Sequence, residues 1–445
     1  MNGRIHALLF SPLHASTLSL FRILFGAAMA YQCLYYVRID YAFQFMAGPE
    51  ILFSYPYFEF VQPLPVAVLR ALQWMMLIAA LLITLGWRTR WASGFFFLSF
   101  SYFTLIDKTL FNNHLYLFML LALLFTFVDA DRCYSLTNRF RKKKPSPYIE
   151  AWQLYLFRFM VFLVYFYGGV MKLDREWLSG NIAEAALAAK GLEDAPFFTA
   201  FFTYGGVLYD LLIGFFLLYK PTRFIAVLFV LFFNLTNHFY LFDDIGVFPF
   251  AMIACTVVFF EPERTANALN KVFGNTPATK KQKPQPPALA WSTRKQVTAV
   301  GIGVFVAFQL IFPFRYLLFT SNPEWSGIAS RFAWRMKMQT RTVEKFEMTV
   351  QDLPDGEPFQ VDYKAFLSVN QHKQLVMDPY NIIQLAQYIA EEAKDRGMRQ
   401  PSVRADINVS YNLRPAQRMI LPEALLEQQS IYRFTPQGWL RKLED

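Results

Sequence analysis

The chain has 445 residues, of which 55% are hydrophobic, 18% aromatic and only 17% charged, with a formal net charge of +10. A soluble globular chain carries roughly 25% charged residues, so this composition excludes an ordinary water-soluble fold and points to a lipid bilayer as the solvent. The positive charge does not mark a nucleic-acid partner, because the Lys and Arg residues gather in short loops between apolar runs rather than along one amphipathic face.

Residues 1–12 lack the basic region, short apolar core and small-residue cleavage site of a secretory leader, so 16–37 is expected to be a retained first span. Apolar runs able to cross a hydrocarbon core of about 30 Å follow at 65–86, 91–106, 112–128, 152–171, 198–219, 222–239, 245–260 and 296–318. The loops between them alternate in charge. Arg88 and Arg90, then Arg139 and Arg141 to Lys144, then Lys220 and Arg223, then Lys271, Lys280, Lys281, Lys283, Arg294 and Lys295 all fall in every second connection. Roughly 18 basic residues on that side against about six on the other put the N-terminus in the cytoplasm by the positive-inside rule. The outer face then receives the 38–64 loop, the 106–111 connection, the 172–197 segment, the 242–245 turn and the chain beyond about residue 320.

The stretch 261–295, rich in Lys, Pro, Gln and Thr, is expected to be a cytoplasmic linker with little structure. Beyond it the pattern changes: 343–350 and 403–411 have strand-like content, Pro354-Asp355-Gly356 is a turn, and 381–393 is an amphipathic helix. The predicted fold class is mainly α, a polytopic transmembrane helical bundle of about nine spans over 1–320 with an extracytoplasmic α+β domain over 321–445.

Chemistry concentrates in Ile106-Asp107-Lys108-Thr109-Leu110-Phe111-Asn112-Asn113-His114-Leu115-Tyr116, which sets an acid, an amine, two amides, an imidazole and a phenol between two apolar runs. Charged groups near membrane depth are costly unless paired or lining a cavity, so the cluster reads as a site, with an ordinary polar hairpin as the alternative. A desolvated Lys can act as a base, His can relay a proton and Asn can hold an oxyanion. Two further segments project to the same face: Lys172-Leu173-Asp174-Arg175-Glu176-Trp177, and Asn237-His238. Singly, Lys172 with Asp174 would be an interfacial charge pair, Trp177 a belt anchor and His238 a helix-end histidine. The five histidines, at 6, 14, 114, 238 and 372, form no paired metal box, and Cys33, Cys133 and Cys255 have no ligand spacing, so no metal is expected. Dinucleotide, P-loop and serine-elbow motifs are absent from the sequence.

With these segments in hand, the chain resembles the vitamin K-dependent gamma-glutamyl carboxylases and the wider group of membrane proteins sharing their HTTM domain. The likeness is carried by Asp107-Lys108-Thr109 with Asn112-Asn113-His114 above all. It extends through Phe21-Arg22-Ile23, Tyr55-Pro56-Tyr57-Phe58-Glu59, Tyr165-Phe166-Tyr167-Gly168-Gly169 to Lys172 and Trp177, Phe332-Ala333-Trp334-Arg335-Met336 and Val409-Ser410-Tyr411-Asn412-Leu413-Arg414-Pro415. The resemblance implies that Lys108 is the base on a reduced vitamin K or menaquinol. Reaction with O2 then yields a strong base that removes a glutamate γ-proton, and CO2 adds to the carbanion. It further implies that Asn113 and His114 orient the oxygenated quinone. Asp107, Asn112, Lys172, Asp174, Trp177, His238 and Trp334 would line the same cavity, and Arg414 would face an exported glutamate-containing protein. Residence in a bacterial inner membrane is the matching expectation. The chain departs from the family pattern at Tyr57, Phe60 and Asn412-Leu413, in the loop and tail toward the acceptor side, and at Gln339, where a peptide or quinone contact would lie. Two other readings stay open at this point: a quinol oxygenase without carboxylation, and a non-enzymatic module binding lipid or protein.

Overall fold

A computed structural model describes residues 2–143, 145–192, 195–241, 245–273, 290–319, 321–432 and 438–444. Each of the nine predicted runs is helical, but among the described residues six helices are long and apolar enough to cross a membrane: 16–38, 66–85, 152–171, 196–218, 223–240 and 293–318. The other three are Thr89–Ile106, with Arg88 at its N-cap and Arg90 in its first turn, and the shorter apolar stretches 113–127 and 248–259. The helix ends are written in the sequence. Pro65 precedes Val66–Leu85, and Gly86 ends it at φ +70°, with the N–H groups of Gly86 and Trp87 donating to the Ile83 and Leu82 carbonyls. Gly26 lets the first span approach Val66–Leu85 closely, since a Cβ there would lie 2.5 Å from the Thr84 nitrogen.

One end of the bundle gathers the basic loops. Strand β1 (Pro12–His14) pairs antiparallel with β2 (Tyr148–Glu150), Pro12 opposite Glu150. The N-terminal helix Asn2–Phe10 brings His6 Nε2 to 2.9 Å from Lys295 Nζ. The expectation of an unstructured linker fails over its first third: Pro262–Phe273 is a helix docked on the start of the first span, where Thr17 Oγ1 donates to Thr265 Oγ1 at 3.2 Å. Buried Ala266 and Thr265 give it an apolar face that the Lys- and Pro-rich average of the stretch conceals. Residues 274–289 of that linker, and 242–244 of the 242–245 turn, lie outside the described residues. At this end the buried Arg22 donates to the carbonyls of Ile83, Thr84, Ala130 and Tyr134, tying these segments together through their backbone.

The opposite end carries the strand-containing region. Strands β3 (Arg341–Asp352), β4 (Phe359–Gln360), β5 (Pro401–Tyr411) and β6 (Gln417–Arg418) form an antiparallel sheet in the order β4-β3-β5-β6. Val403, Ala405, Ile407, Val409 and Tyr411 alternate to one buried face, as a half-covered strand requires. That face packs on the helix Pro379–Asp395 through Ile382, Ile383, Ala386 and Ile389. Ile51 and Phe53, from the loop after the first span, join this second core. Gln384 also grips the Ser54 backbone at both its N–H and its carbonyl, each at 2.9 Å. The region is therefore seated on the bundle rather than tethered beside it.

Candidate functional site

The helix Thr89–Ile106 stops at Asp107, whose backbone turns extended and whose Oδ1 accepts from Thr109 N at 2.8 Å, starting the short turn Lys108–Leu110. The Lys108 N–H donates to the Phe53 carbonyl at 2.8 Å. Both side chains are 1% exposed. Asp107 Oδ2 accepts from Gln371 Nε2 at 2.8 Å, and the same amide reaches the Ile51 carbonyl at 2.7 Å. Burial pushes the Asp107 carboxyl above the usual range, opposed by the bonds from Thr109 and Gln371 and by the charge of Lys108.

Lys108 Nζ lies 3.8 Å from Asp378 Oδ2. Asp378 is the N-cap of Pro379–Asp395, its Oδ1 accepting from Tyr380 N at 3.0 Å, and its Oδ2 is paired with Arg331. Burial alone would lower the Arg331 guanidinium, but Asp378, Tyr55 and Asp107 together hold it above its ordinary value, so it stays cationic. The base candidate thus sits in a ring of fixed charges drawn from both the bundle and the C-terminal region.

An aromatic wall stands next to this ring. Phe332 packs against Phe111, Tyr116 and Tyr55 at centroid distances of 4.7, 5.0 and 5.8 Å, and Trp334 lies 4.9 Å from Tyr116. The segment that supplies these rings is strained: Ala329, Phe332, Trp334 and Lys337 all take positive φ. Trp334 Nε1, Tyr55 Oη and Asn113 Oδ1 are buried with no hydrogen-bond partner among the described residues. Leaving such groups unmade is costly.

Of the remaining predicted residues, Asn113 donates through Nδ2 to the Arg335 carbonyl at 3.0 Å, and His114 stacks on Phe248 with centroids 5.5 Å apart. Asn112 is exposed at the start of Asn113–Phe127, and its side chain does not cap that helix, so it faces away from the buried group. His238 packs its ring against Phe239 and Phe250 rather than on any member of the Lys108 group.

The 172–177 hairpin forms a second charged layer. Lys172 is paired not with Asp174 but with Asp210 of the sixth run, at 2.6 Å, its Nζ 4.6 Å from the Trp177 ring centroid. Trp177 Nε1 donates to the Thr203 carbonyl at 2.9 Å. Asp174 caps its own short helix and lies 3.6 Å from Arg335, which is also ion-paired with the buried Glu324. Arg414 pairs with Glu176, and Asn412 Nδ2 donates to the same carboxylate at 3.2 Å. Arg414 therefore belongs to the clamp between the bundle and the sheet. Asp378, Arg331, Gln371 and Asp210 carried no sequence signal of a site: Asp378-Pro379 reads only as a helix start, and Asp210 only as an acid in an apolar run.

Comparison with known families gives two adjoining matches. The HTTM domain family matches residues 10–263, and the vitamin K-dependent gamma-carboxylase lumenal domain matches residues 294–445. No solved structure matches the chain.

Proposed function

The chain belongs to the vitamin K-dependent gamma-carboxylase family, and on that footing we propose that it carboxylates glutamate side chains of an exported protein using a reduced naphthoquinone, O2 and CO2. The observation that carries this reading is Lys108: an amine 1% exposed, on a rigid turn, beside an aromatic wall with unsatisfied polar atoms. A desolvated amine can be neutral at physiological pH, which a base requires.

Phe332, Tyr116 and Trp334 would hold the quinol ring, with Trp334 Nε1 and Asn113 Oδ1 as its polar partners. When bound, the quinol supplies on reaction with O2 the strong base that removes a glutamate γ-proton. Lys108 Nζ takes the hydroxyl proton of the ligand and holds it as an ammonium near Asp378. The buried surroundings exclude water, which would otherwise quench a strong base. His114, beside Phe248, is the group that can pass a proton onward. The glutamate chain reaches the site from the face that carries the sheet.

In this reading the basic end is cytoplasmic, the sheet is extracytoplasmic, and the three remaining apolar helices complete nine crossings of a bacterial inner membrane. The first test gives detergent-purified protein vitamin K hydroquinone, O2, labelled bicarbonate and a glutamate peptide, with Lys108→Ala in parallel. Epoxide and peptide label that are both present in the wild type and both lost in the variant are expected. Epoxide without label would replace the carboxylase by a quinol oxygenase, and neither product, with menaquinol also failing on folded protein, would sink both.

A further inference from the structure

Granting Lys108 the role of base just proposed, the geometry points to Asp378 and Arg331 as a positioning pair that sets the proton exchange of Lys108. The base would then be assembled from two regions of the chain. The pair lies on the strand-containing region, while Lys108 lies on the bundle.

Among the described residues, Asp107, Tyr55, Asp378 and Arg331 are the charged or titratable groups around Lys108. Asp107, its sequence neighbour, has both carboxylate oxygens engaged, by Thr109 N and by Gln371 Nε2. The Tyr55 hydroxyl, from the loop after the first span, is buried and feels Arg331, Asp107 and Asp378. Asp378 Oδ1 accepts from the Tyr380 N–H, while its Oδ2 faces Arg331 and, at 3.8 Å, Lys108 Nζ. Close approach is built in: Gly327, at φ +70°, sits where a Cβ would lie 2.8 Å from Asp378 Oδ1.

The charge arithmetic gives the pair its purpose. A buried carboxylate alone beside Lys108 would lock it as an ammonium, and a buried guanidinium alone would drive its proton off. Together Asp378 and Arg331 sum to zero, so neither charge acts on Lys108 unopposed, and Lys108 can regain its proton with Oδ2 close by. Opposite-charge neighbours shift such groups by about one to three pH units, which sets the scale of each deletion.

The test reads Lys108 without turnover. Full-length protein in detergent is trace-labelled with acetic anhydride across a pH series, and the labelling midpoint of Lys108 is followed by peptide mass spectrometry against the half-exposed Lys345. Asp378→Asn, which keeps an oxygen for the Tyr380 N–H, is expected to lower the midpoint by about one to three units, and Arg331→Gln to raise it on the same scale. The double variant is expected to fall between them, and Asp378→Glu to return toward wild type. Thermal melting of each variant guards against misfolding, and if Asp378→Asn melts, Arg331→Gln alone decides. Midpoints unmoved in folded single variants would overturn the inference. Wild-type oxidation of vitamin K hydroquinone, measured separately, tests the carboxylase reading, so either can fail without the other. If both hold, the pH profile of quinol oxidation moves with the labelling midpoints.

Discussion

Removing one member of the Lys172 and Asp210 pair should destabilise the protein far more than removing both. The two side chains are 9% and 6% exposed and their charged atoms are 2.6 Å apart. At an effective dielectric of about 20, that separation corresponds to roughly 6 kcal/mol of attraction, most of it offsetting the cost of taking both charges out of water. Asp210→Asn strands the ammonium against the Trp177 ring, and Lys172→Met strands the carboxylate beside Gly168. Each should cost about 3–5 kcal/mol, whereas Lys172→Met with Asp210→Leu should return to within about 1–2 kcal/mol of wild type. Denaturant unfolding in detergent micelles, followed by tryptophan fluorescence, gives the four corners of the cycle. Single variants that unfold with the wild type, or a double variant as unstable as the singles summed, would show that the pair is not the fixed element assumed here. Because the same hairpin holds Asp174 and Glu176 against Arg335 and Arg414, the single variants should also slow any turnover at Lys108.

Three further outcomes follow from named contacts. Burial raises the Asp107 carboxyl, so the folded state binds more protons than the unfolded one above 3.8 and stability falls as pH rises through the folded value. Asp107→Asn should remove that slope, and an unfolding midpoint difference from wild type that stays flat with pH would contradict it. Arg414→Ala leaves Glu176 with Asn412 alone and should cost about 1.5–3 kcal/mol; hydrogen exchange that does not rise in 172–180 would rule out the clamp. Gly86→Ala forces a Cβ to within 2.5 Å of Ser135 Cβ at φ +70° and should lower the melting temperature by an amount equivalent to about 1 kcal/mol or more, with an unchanged melting curve as the contrary result.

The sequence made visible whatever depends on composition along the chain. Nine apolar runs, the strands at 341–352 and 401–411 and the helix at 379–395 announce themselves by hydropathy and alternation, and Asp107 announces the turn that carries Lys108. What stayed hidden depends on which distant residues meet. Lys172 has Asp174 two positions away, yet its partner is Asp210, because the helices 152–171 and 206–218 pack so closely that a Cβ on Gly169 would lie 2.6 Å from the Leu211 nitrogen. Asn112 and Asn113 are chemically identical neighbours, but the first is the extended residue before the helix and lies in the open, while the second opens the helix and donates to the Arg335 carbonyl. Asp378 carries the point furthest. Asp before Pro at a helix start needs no reason beyond capping, and its Oδ1 does that work; its Oδ2 makes it part of a site only because Gln371, Gln384 and Ile51 hold the sheet region down on the turn at Lys108. A residue with a sufficient local explanation gives a sequence no second signal, so a group that also faces a distant buried amine is among those least open to pattern reading.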